Sequence, residues 1–466
     1  MRLTVVSRIT PLLCSPRHVP MPAHRAQPFV TSSKGRYLAL FQNSFSCDVM
    51  VCGGGPSGIA AAVSAARNGA DTLLVERYGF LGGMATAGSV NPFMTRYAGG
   101  VAIIEGVFDE IVQRLTAKGA YNRPRCWNSF DKEYFKIVAD EICIESGVRL
   151  LFHSFVSGAK VSGSTIEAAD ITNKSGVQKV DAKVFIDATG DADLACLAGA
   201  KCEKGRDSDG LVQPMTLCFR MGGIDIDRLL PMPEMDKIYL RGREEGKFES
   251  PKNTMGDMCS LREGEMNFNL TRIINADATK IEDLTRAEIE GRRQIAGIVA
   301  FLVKEMPGFE NAYLEDIATQ IGIRETRRVI GDYVMTAEDI RSARKFDDCI
   351  ARGSYPVDIH DPKGGGTVIE SLKPGESYDL PYRALTPLGI DNLLVAGRPI
   401  SSTHEAHSAI RIMPICAALG EAAGAAAALC SKRDISTREL DVADLQRVLI
   451  NQGANLGEHV KQALGL

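Results

Sequence analysis

Twelve cysteines are scattered along the chain, but no two stand in a C-x-x-C pair and none is spaced from a histidine as a zinc ligand would be. Neither a metal site nor a disulfide framework is expected, and such usage suits a reducing compartment. The net charge is only −4, so nothing pulls the chain in bulk toward nucleic acid or an anionic membrane. No apolar run reaches the roughly 18 residues that an integral membrane span needs. The longest small-residue stretch, from Ala417 to Cys430, is Ala- and Gly-rich and contains Glu421. The first 46 residues lack Asp and Glu altogether while holding Arg2, Arg8, Arg17, Arg25, Lys34 and Arg36. That fits a mitochondrial transit segment, yet Pro11, Pro16, Pro20, Pro22 and Pro28 interrupt any long amphipathic helix. An unstructured extension, or a start placed upstream of a true one near Met21, is the plainer reading, with a cytoplasmic location; a transit segment would instead direct the chain to the mitochondrial matrix. What remains, 45% apolar and 24% charged over 466 residues, describes a soluble globular chain of two connected domains.

The stretch from Cys47 to Glu76 organises the rest. An apolar run ends in Gly53-Gly54-Gly55-Pro56-Ser57-Gly58, which fits G-x-G-x-x-G, and an alanine-rich helix follows to Arg67. A second apolar run, Thr72 to Val75, is closed by Glu76. Gly53 makes the tight turn, Gly55 lets the backbone approach a pyrophosphate, and Gly58 lets helix pack on strand. The helix N-terminus faces the phosphates, and an acid about 20 residues past the turn holds a ribose. This unit binds an adenine dinucleotide and leaves NAD and FAD both open. Arg77 to Gly88, with Gly82-Gly83 inside it, is expected to run along the cofactor.

Helices are expected from Gly106 to Leu115 and from Lys132 to Glu145, then a strand at Val148 to Phe152. Two strand-like runs flank a turn at Asn173 to Gly176, and Val184 to Asp191 reads as a further strand ending at Gly190, where open α/β sheets place ligands. In the middle, Met266 to Leu270 alternates like a strand, and Thr285-x-x-Glu288 reads as a capping box opening a helix to about Met306. The cluster Arg324-Glu325-Thr326-Arg327-Arg328 is either a salt-bridged surface or a clamp facing a substrate carboxylate or a flavin. Asp358 to Gly366 is loop chemistry. Asn392 to Arg398 reads as a returning buried strand, Ser401 to Arg411 as a polar stretch, and Pro414 as the start of an alanine-rich helix.

Taken together, GGGPSG and VERYGFLGGMATAG near the start, IDATGDAD from Ile186, IGIRETRR from Ile321 and VAGRPISSTHEAHSAIRIMP from Val395 resemble the FAD-dependent oxidoreductase family with the glutathione-reductase-type FAD fold. The likeness implies an α/β chain: a Rossmann-like FAD-binding domain over 47–210 and 376–432, an inserted α+β substrate domain over 211–375, an extension over 1–46 and a C-terminal helical segment over 433–466. It implies FAD as the cofactor, with Gly53, Gly55 and Gly58 on the pyrophosphate and Glu76 on the ribose. Arg77, Gly83, Asp187, Gly190, Asp191, Gly397 and Arg398 would lie beside it, and Ile412 and Met413 near the flavin ring. Relatives that reduce disulfides carry a C-x4-C pair after the first βαβ unit and a second nucleotide unit; residues 77–100 hold no cysteine and no second unit is legible, so disulfide reduction is not expected. Many relatives also place Asp where Arg398 stands.

The flavin would supply the redox step, leaving the protein to position a C–H bond and manage a proton. His404, His407 and Arg411 lie where the return strand meets the flavin-facing helix, and are the first choice for that work; Arg324 and His360 are further candidates. The expected function is a dehydrogenase or oxidase transferring hydride from a small organic substrate to the flavin. The alternatives are a reductase similar to fumarate-reductase flavoproteins, with Arg324 or Arg411 delivering the proton, and a non-redox isomerase or dehydratase. Besides its substrate and an electron acceptor that the residues do not name, a second copy of the chain is an expected partner.

Overall fold

The computed structural model describes residues 44–123, 126–255, 262–364 and 366–466. The expected extension lies outside the described residues as far as position 43, and its last three residues already belong to a strand. That strand, β1 (Ser44–Cys52), leads through the glycine turn into α1 (Pro56–Arg67) and β2 (Thr72–Val75). Val49 to Cys52 and all of β2 are buried, as strands covered on both faces must be. Two helices follow, α2 (Val107–Ala117) and α3 (Lys132–Glu145). Asp131 caps α3 by accepting the N–H groups of Glu133 and Tyr134, and Phe135, Val138 and Ile142 face the core. β3 (Arg149–Leu151) adds parallel to β2.

β4 (Phe155–Ser162), β5 (Thr165–Asn173) and β6 (Gly176–Asp187) complete this part. The two runs expected before and after Val184 are one strand. β6 runs parallel to β1 along its length, while its other edge pairs antiparallel with β5 from Gly176 to Asp181. Beyond Asp181 that edge is open, and a strand from the far end of the chain occupies it.

The inserted part has its own core. β7 (Phe219–Gly222) lies between β8 (Met266–Phe268) and β9 (Tyr313–Ile317), all antiparallel, with α4 (Ile281–Glu305) packed into the same core. Phe219 stacks on Phe268 at 5.1 Å. The expected capping box is overturned: α4 starts at Ile281, Thr285 is inside it, and the Glu288 carboxylate instead accepts the N–H of Ile321 at 2.7 Å. This second core runs from Met215 to Ile323, whereas Met335, Ile340, Phe346 and Tyr378 pack in the first core. The expected substrate domain over 211–375 thus divides between two cores.

β10 (Val357–His360) pairs antiparallel with β11 (Thr367–Glu370), so Asp358 to His360 are strand rather than loop; Gly365 of the triple glycine lies outside the described residues. β12 (Leu393–Val395) then fills the open edge of β6, parallel to Phe185–Asp187. The parallel order β3-β2-β1-β6-β12 puts five strand ends, at Leu151, Val75, Cys52, Asp187 and Val395, at one edge of the sheet. The polar stretch before Arg411 is a helix, α5 (His404–Ile410), capped by Thr403.

α6 (Met413–Arg433) has 21 residues and contains an 18-residue window of mean hydropathy 1.5, long and apolar enough to cross a membrane by length and composition, which the sequence did not lead one to expect. Its most apolar window is 83% buried inside the protein, as a core helix is. The small residues serve contact: a Cβ at Gly420 would stand 2.0 Å from the carbonyl oxygen of Ser57, and one at Gly424 2.1 Å from that of Ala61. α1 and α6 therefore touch backbone to backbone.

Candidate active site

A cavity of about 360 Å³ opens at the carboxyl edge of the sheet. Its floor is the glycine turn. A Cβ on Gly58 would lie 1.7 Å from the carbonyl oxygen of Gly53, so only glycine allows the helix to start so close to the strand. Gly83, at φ +50°, passes over the turn with its missing Cβ 2.8 Å from the Gly55 Cα. No side chain caps the N-terminus of α1, which leaves its first-turn N–H groups to an anion. Glu76 follows β2, buried, with one carboxylate oxygen 2.6 Å from the N–H of Gly54 and the other 2.9 Å from that of Tyr78. Burial raises its pKa, and those two N–H donors oppose the rise. The N-terminus of α6 also opens into the cavity at Ile412 and Met413, again with no side-chain cap.

The opposite lining comes from the inserted part and from β10. Arg324 donates to the Pro214 carbonyl at 2.7 Å, to Thr216 Oγ1 at 2.8 Å and to Asn269 Oδ1 at 3.4 Å. Burial first, then Arg411 and Arg272, push its pKa down to about 9. Arg411 lies 3.7 Å from the Asp358 carboxylate, and its Nε is buried without a partner. Tyr355 donates to Asp358 at 2.8 Å. His360 faces Asp358 through Nε2 at 3.9 Å and Arg272 through Nδ1 at 3.1 Å. Burial, and the charges of Arg324, Arg411, Arg272 and Lys252, hold its imidazole neutral. Lys252 itself is pushed down to about 8, by burial and then by Arg324 and Arg272.

The family model described as FAD dependent oxidoreductase matches residues 48–449. The chain belongs to that family. Its cofactor is FAD, and the glycine cradle, the buried acid and the two uncapped helix ends fit that molecule's pyrophosphate and ribose. Beyond the family, the chain is 29% identical over 184 residues to the thiamine thiazole synthase of Methanococcus aeolicus, a match covering 35% of this chain and 63% of that protein, so less than two thirds of the relative's length is spanned. Among solved structures it is similar to a geranylgeranyl bacteriochlorophyll reductase-like protein from Thermoplasma acidophilum (TM-score 0.42, 14% identity, 91% of this chain and 83% of that one). It is also similar to a flavin-dependent brominase (TM-score 0.45, 12%, 87% and 83%) and to the L-proline dehydrogenase of P. horikoshii (TM-score 0.41, 11%, 88% and 99%). Similarities of that size say nothing of what this FAD-dependent oxidoreductase acts on.

Of the residues expected at the cofactor, Gly53, Gly55, Glu76, Arg77, Gly83, Gly190, Arg398 and Ile412 line the cavity. Gly58, Asp187, Asp191 and Gly397 stand behind it. Asp187 is wholly buried and fixes the turn after β6, accepting from Thr189 N at 3.0 Å, Thr189 Oγ1 at 2.7 Å and Ala195 N at 2.8 Å. Asp191 accepts from Arg398 at 2.5 Å and from Thr326 at 2.8 Å. The arginine that departs from the relatives' pattern is thus paired, and it also donates to Gly190 O at 2.7 Å and to Ile323 O.

The expected catalytic group divides. Arg324 and Arg411 line the cavity; His404 and His407 do not. His404 is buried behind it, with Nδ1 2.9 Å from Glu325, which also pairs with the buried Arg328. His407 is fully buried, and burial drives its pKa well down. Both point into packed protein because α5 is a helix with its polar face turned inward. Of the RETRR cluster, Arg327 pairs with Asp193 at the half-exposed surface, as a salt-bridged face would; Arg328 pairs with Glu325 but both are buried, so the expected surface does not extend to it; Arg324 lines the cavity. Tyr355 and Asp358 were missed. The alternation Val357-Asp358-Ile359-His360 carries the signal that would have found Asp358, since it puts Asp358 and His360 on one face of a strand; Tyr355 lies before that strand and has no such signal.

Proposed function

We propose that this FAD-dependent oxidoreductase, built on a glutathione-reductase-type FAD fold, is a dehydrogenase or oxidase that takes hydride from a small organic substrate. The observation that carries this is continuity: one cavity is lined by the glycine cradle and Ile412 on one side and by Tyr355, Asp358, His360 and Arg324 on the other. FAD, when bound, supplies the two-electron acceptor. The chain's own residues orient the substrate and move its proton. Burial and the neighbouring Asp358 raise the Tyr355 pKa, so its phenol stays protonated near neutrality. A proton leaving a substrate hydroxyl or amine passes to the Tyr355 oxygen as Tyr355 gives its own to Asp358. From the inserted part, Thr216, Cys218, Asn269 and Ile323 line the cavity together with Arg324.

A second reading has support in Arg324. Arg324 lines the cavity opposite the glycine cradle, where it can reach a bound substrate, which favours a reductase in which Arg324 delivers the substrate's proton as hydride arrives. Anaerobic mixing of the FAD-loaded protein with alcohols, amines, hydroxy acids and sugars separates the readings. Bleaching of the flavin that persists without an acceptor is the expected result. Turnover without bleaching would support an isomerase or dehydratase instead, and pre-reduced protein reoxidised by an unsaturated acid would support the reductase. Protein that holds no FAD after reconstitution overturns all three.

A further inference from the structure

Two thiols stand behind the cavity, and the chemistry proposed above uses neither. The chain leaves β6 through Gly190 and Asp191 into a short helix, Asp193–Leu197, turns at Gly199 and returns as the strand Cys202–Lys204. Gly199 has φ +85°, which glycine takes without strain. The turn is closed by the Gly199 N–H donating to Cys196 O at 3.1 Å and the Ala200 N–H to Ala195 O at 2.9 Å. It lays Cys202 back on Cys196, with the two Sγ atoms 2.8 Å apart. Both side chains are half-buried free thiols, and neither lines the cavity. A disulfide bond is about 2.05 Å long, so the sulfurs have little further to travel.

Their surroundings make the two unequal. Arg327, on the strand that pairs antiparallel with Cys202–Lys204, acts on both sulfurs. The S–H of Cys202 first, and then the Arg327 charge, hold the Cys196 thiol below the ordinary range, against burial and the Asp187 and Asp193 carboxylates. The same contact and burial push Cys202 up, and its sulfur also lies 3.6 Å from the Ala200 carbonyl oxygen, an acceptor for its S–H. At every other cysteine among the described residues, burial raises the thiol instead. One thiol of the pair is prepared to attack and the other to follow.

We propose that Cys196 and Cys202 form a thiol–disulfide exchange site that takes small disulfides such as oxidised glutathione. The Cys196 thiolate attacks one sulfur of the small disulfide, whose S–S bond breaks; one small thiolate leaves and a mixed disulfide stands on Cys196. Cys202 then gives up its proton and attacks Cys196 Sγ, expelling the second small thiolate. The pair loses two electrons and two protons in forming its own bond, and the small disulfide takes up both to become two thiols. The new bond staples the turn after β6 to the strand beside Arg327, so the wall that Gly190 gives the cavity is tied down in oxidising surroundings. Exchange needs no electrons from the flavin, and the proposal is independent of the substrate reading.

The test is anaerobic incubation of the FAD-loaded full chain with reduced and oxidised glutathione at graded ratios, followed by blocking of free thiols, intact mass and peptide mapping. The parent loses two hydrogens as the oxidised share rises, the mapped bond joins Cys196 to Cys202, and reduced glutathione reverses it. In Cys202→Ser a glutathione adduct stays on Cys196, since nothing resolves it. In Cys196→Ser the adduct on Cys202 forms at least about tenfold more slowly than the one on Cys196 in the other variant. No Cys196–Cys202 bond at any ratio, or an adduct that forms faster on Cys202, overturns the proposal. Should either serine variant fail to fold, mapping on the parent decides together with iodoacetamide labelling of the reduced parent. Cys196 is then labelled at least about tenfold faster than Cys202, and equal rates overturn the assigned roles.

Discussion

Tyr355 gives its hydroxyl hydrogen to Asp358 across 2.8 Å, at the cavity's edge and beside Arg411. If this pair carries the substrate proton, Tyr355→Phe slows flavin reduction by about 10²-fold or more, the range for losing one acid–base group. FAD content stays near the parent value. Stopped-flow reduction checks this, and a parent-like rate removes Tyr355 from the mechanism.

Glu76 does two things, and two substitutions separate them. Glu76→Ala loses the ribose acceptor and strands the N–H groups of Gly54 and Tyr78, so both FAD affinity and thermal stability fall. Glu76→Gln keeps an oxygen for one of those donors, so stability falls less while FAD still binds about tenfold more weakly. Fluorescence titration of FAD into apoprotein, alongside thermal melts, reads the two effects separately.

Glu421 on α6 accepts the N–H of Val107 at 3.0 Å, and burial raises its carboxyl from 4.5 to about 7. Because the folded pKa lies above the unfolded one, stability from this group is complete below about pH 4.5 and is lost as pH rises through 7, by about 3 kcal/mol. Glu421→Gln, which does not titrate, therefore gains on the parent as pH rises: its melting temperature exceeds the parent's at pH 8 by more than at pH 5. A pH-independent difference contradicts the assignment.

His404 holds Glu325 from one side while Arg328 holds it from the other, all three buried. His404→Ala lowers stability by about 1–3 kcal/mol, the cost of leaving a buried polar partner unmatched. Flavin reduction in the folded, FAD-loaded variant proceeds at the parent rate. A slowed rate at unchanged stability would restore His404 to the chemistry.

Much of the cofactor half is readable because its constraints are local. Gly53 to Gly58, Glu76 and the apolar runs around them are dictated by one turn, and α3 shows its Phe135, Val138 and Ile142 face directly. Other features depend on distant partners. α5 escapes notice because its buried face includes His404, His407 and Ser408, so no apolar period marks it. β6 looks like two strands because Asp181 to Lys183 interrupt its apolar pattern where its edge passes from β5 toward β12. Among Arg324, Arg327 and Arg328, which one faces the cavity is decided by Asp193 and Glu325 taking the other two.

The backbone contact of α1 with Gly420 and Gly424 ties the order of events during synthesis to the cofactor. The first βαβ unit leaves the ribosome more than three hundred residues before the helix that buries it and the strand that closes β6. Until then α1 exposes an apolar face, and the unit has neither its partner nor the Ile412 side of the cavity. So distant a pairing is slow to form and open to aggregation meanwhile. FAD capture is in consequence an event of the finished chain: a truncation before Leu393 yields a product that does not retain flavin, however intact its glycine turn.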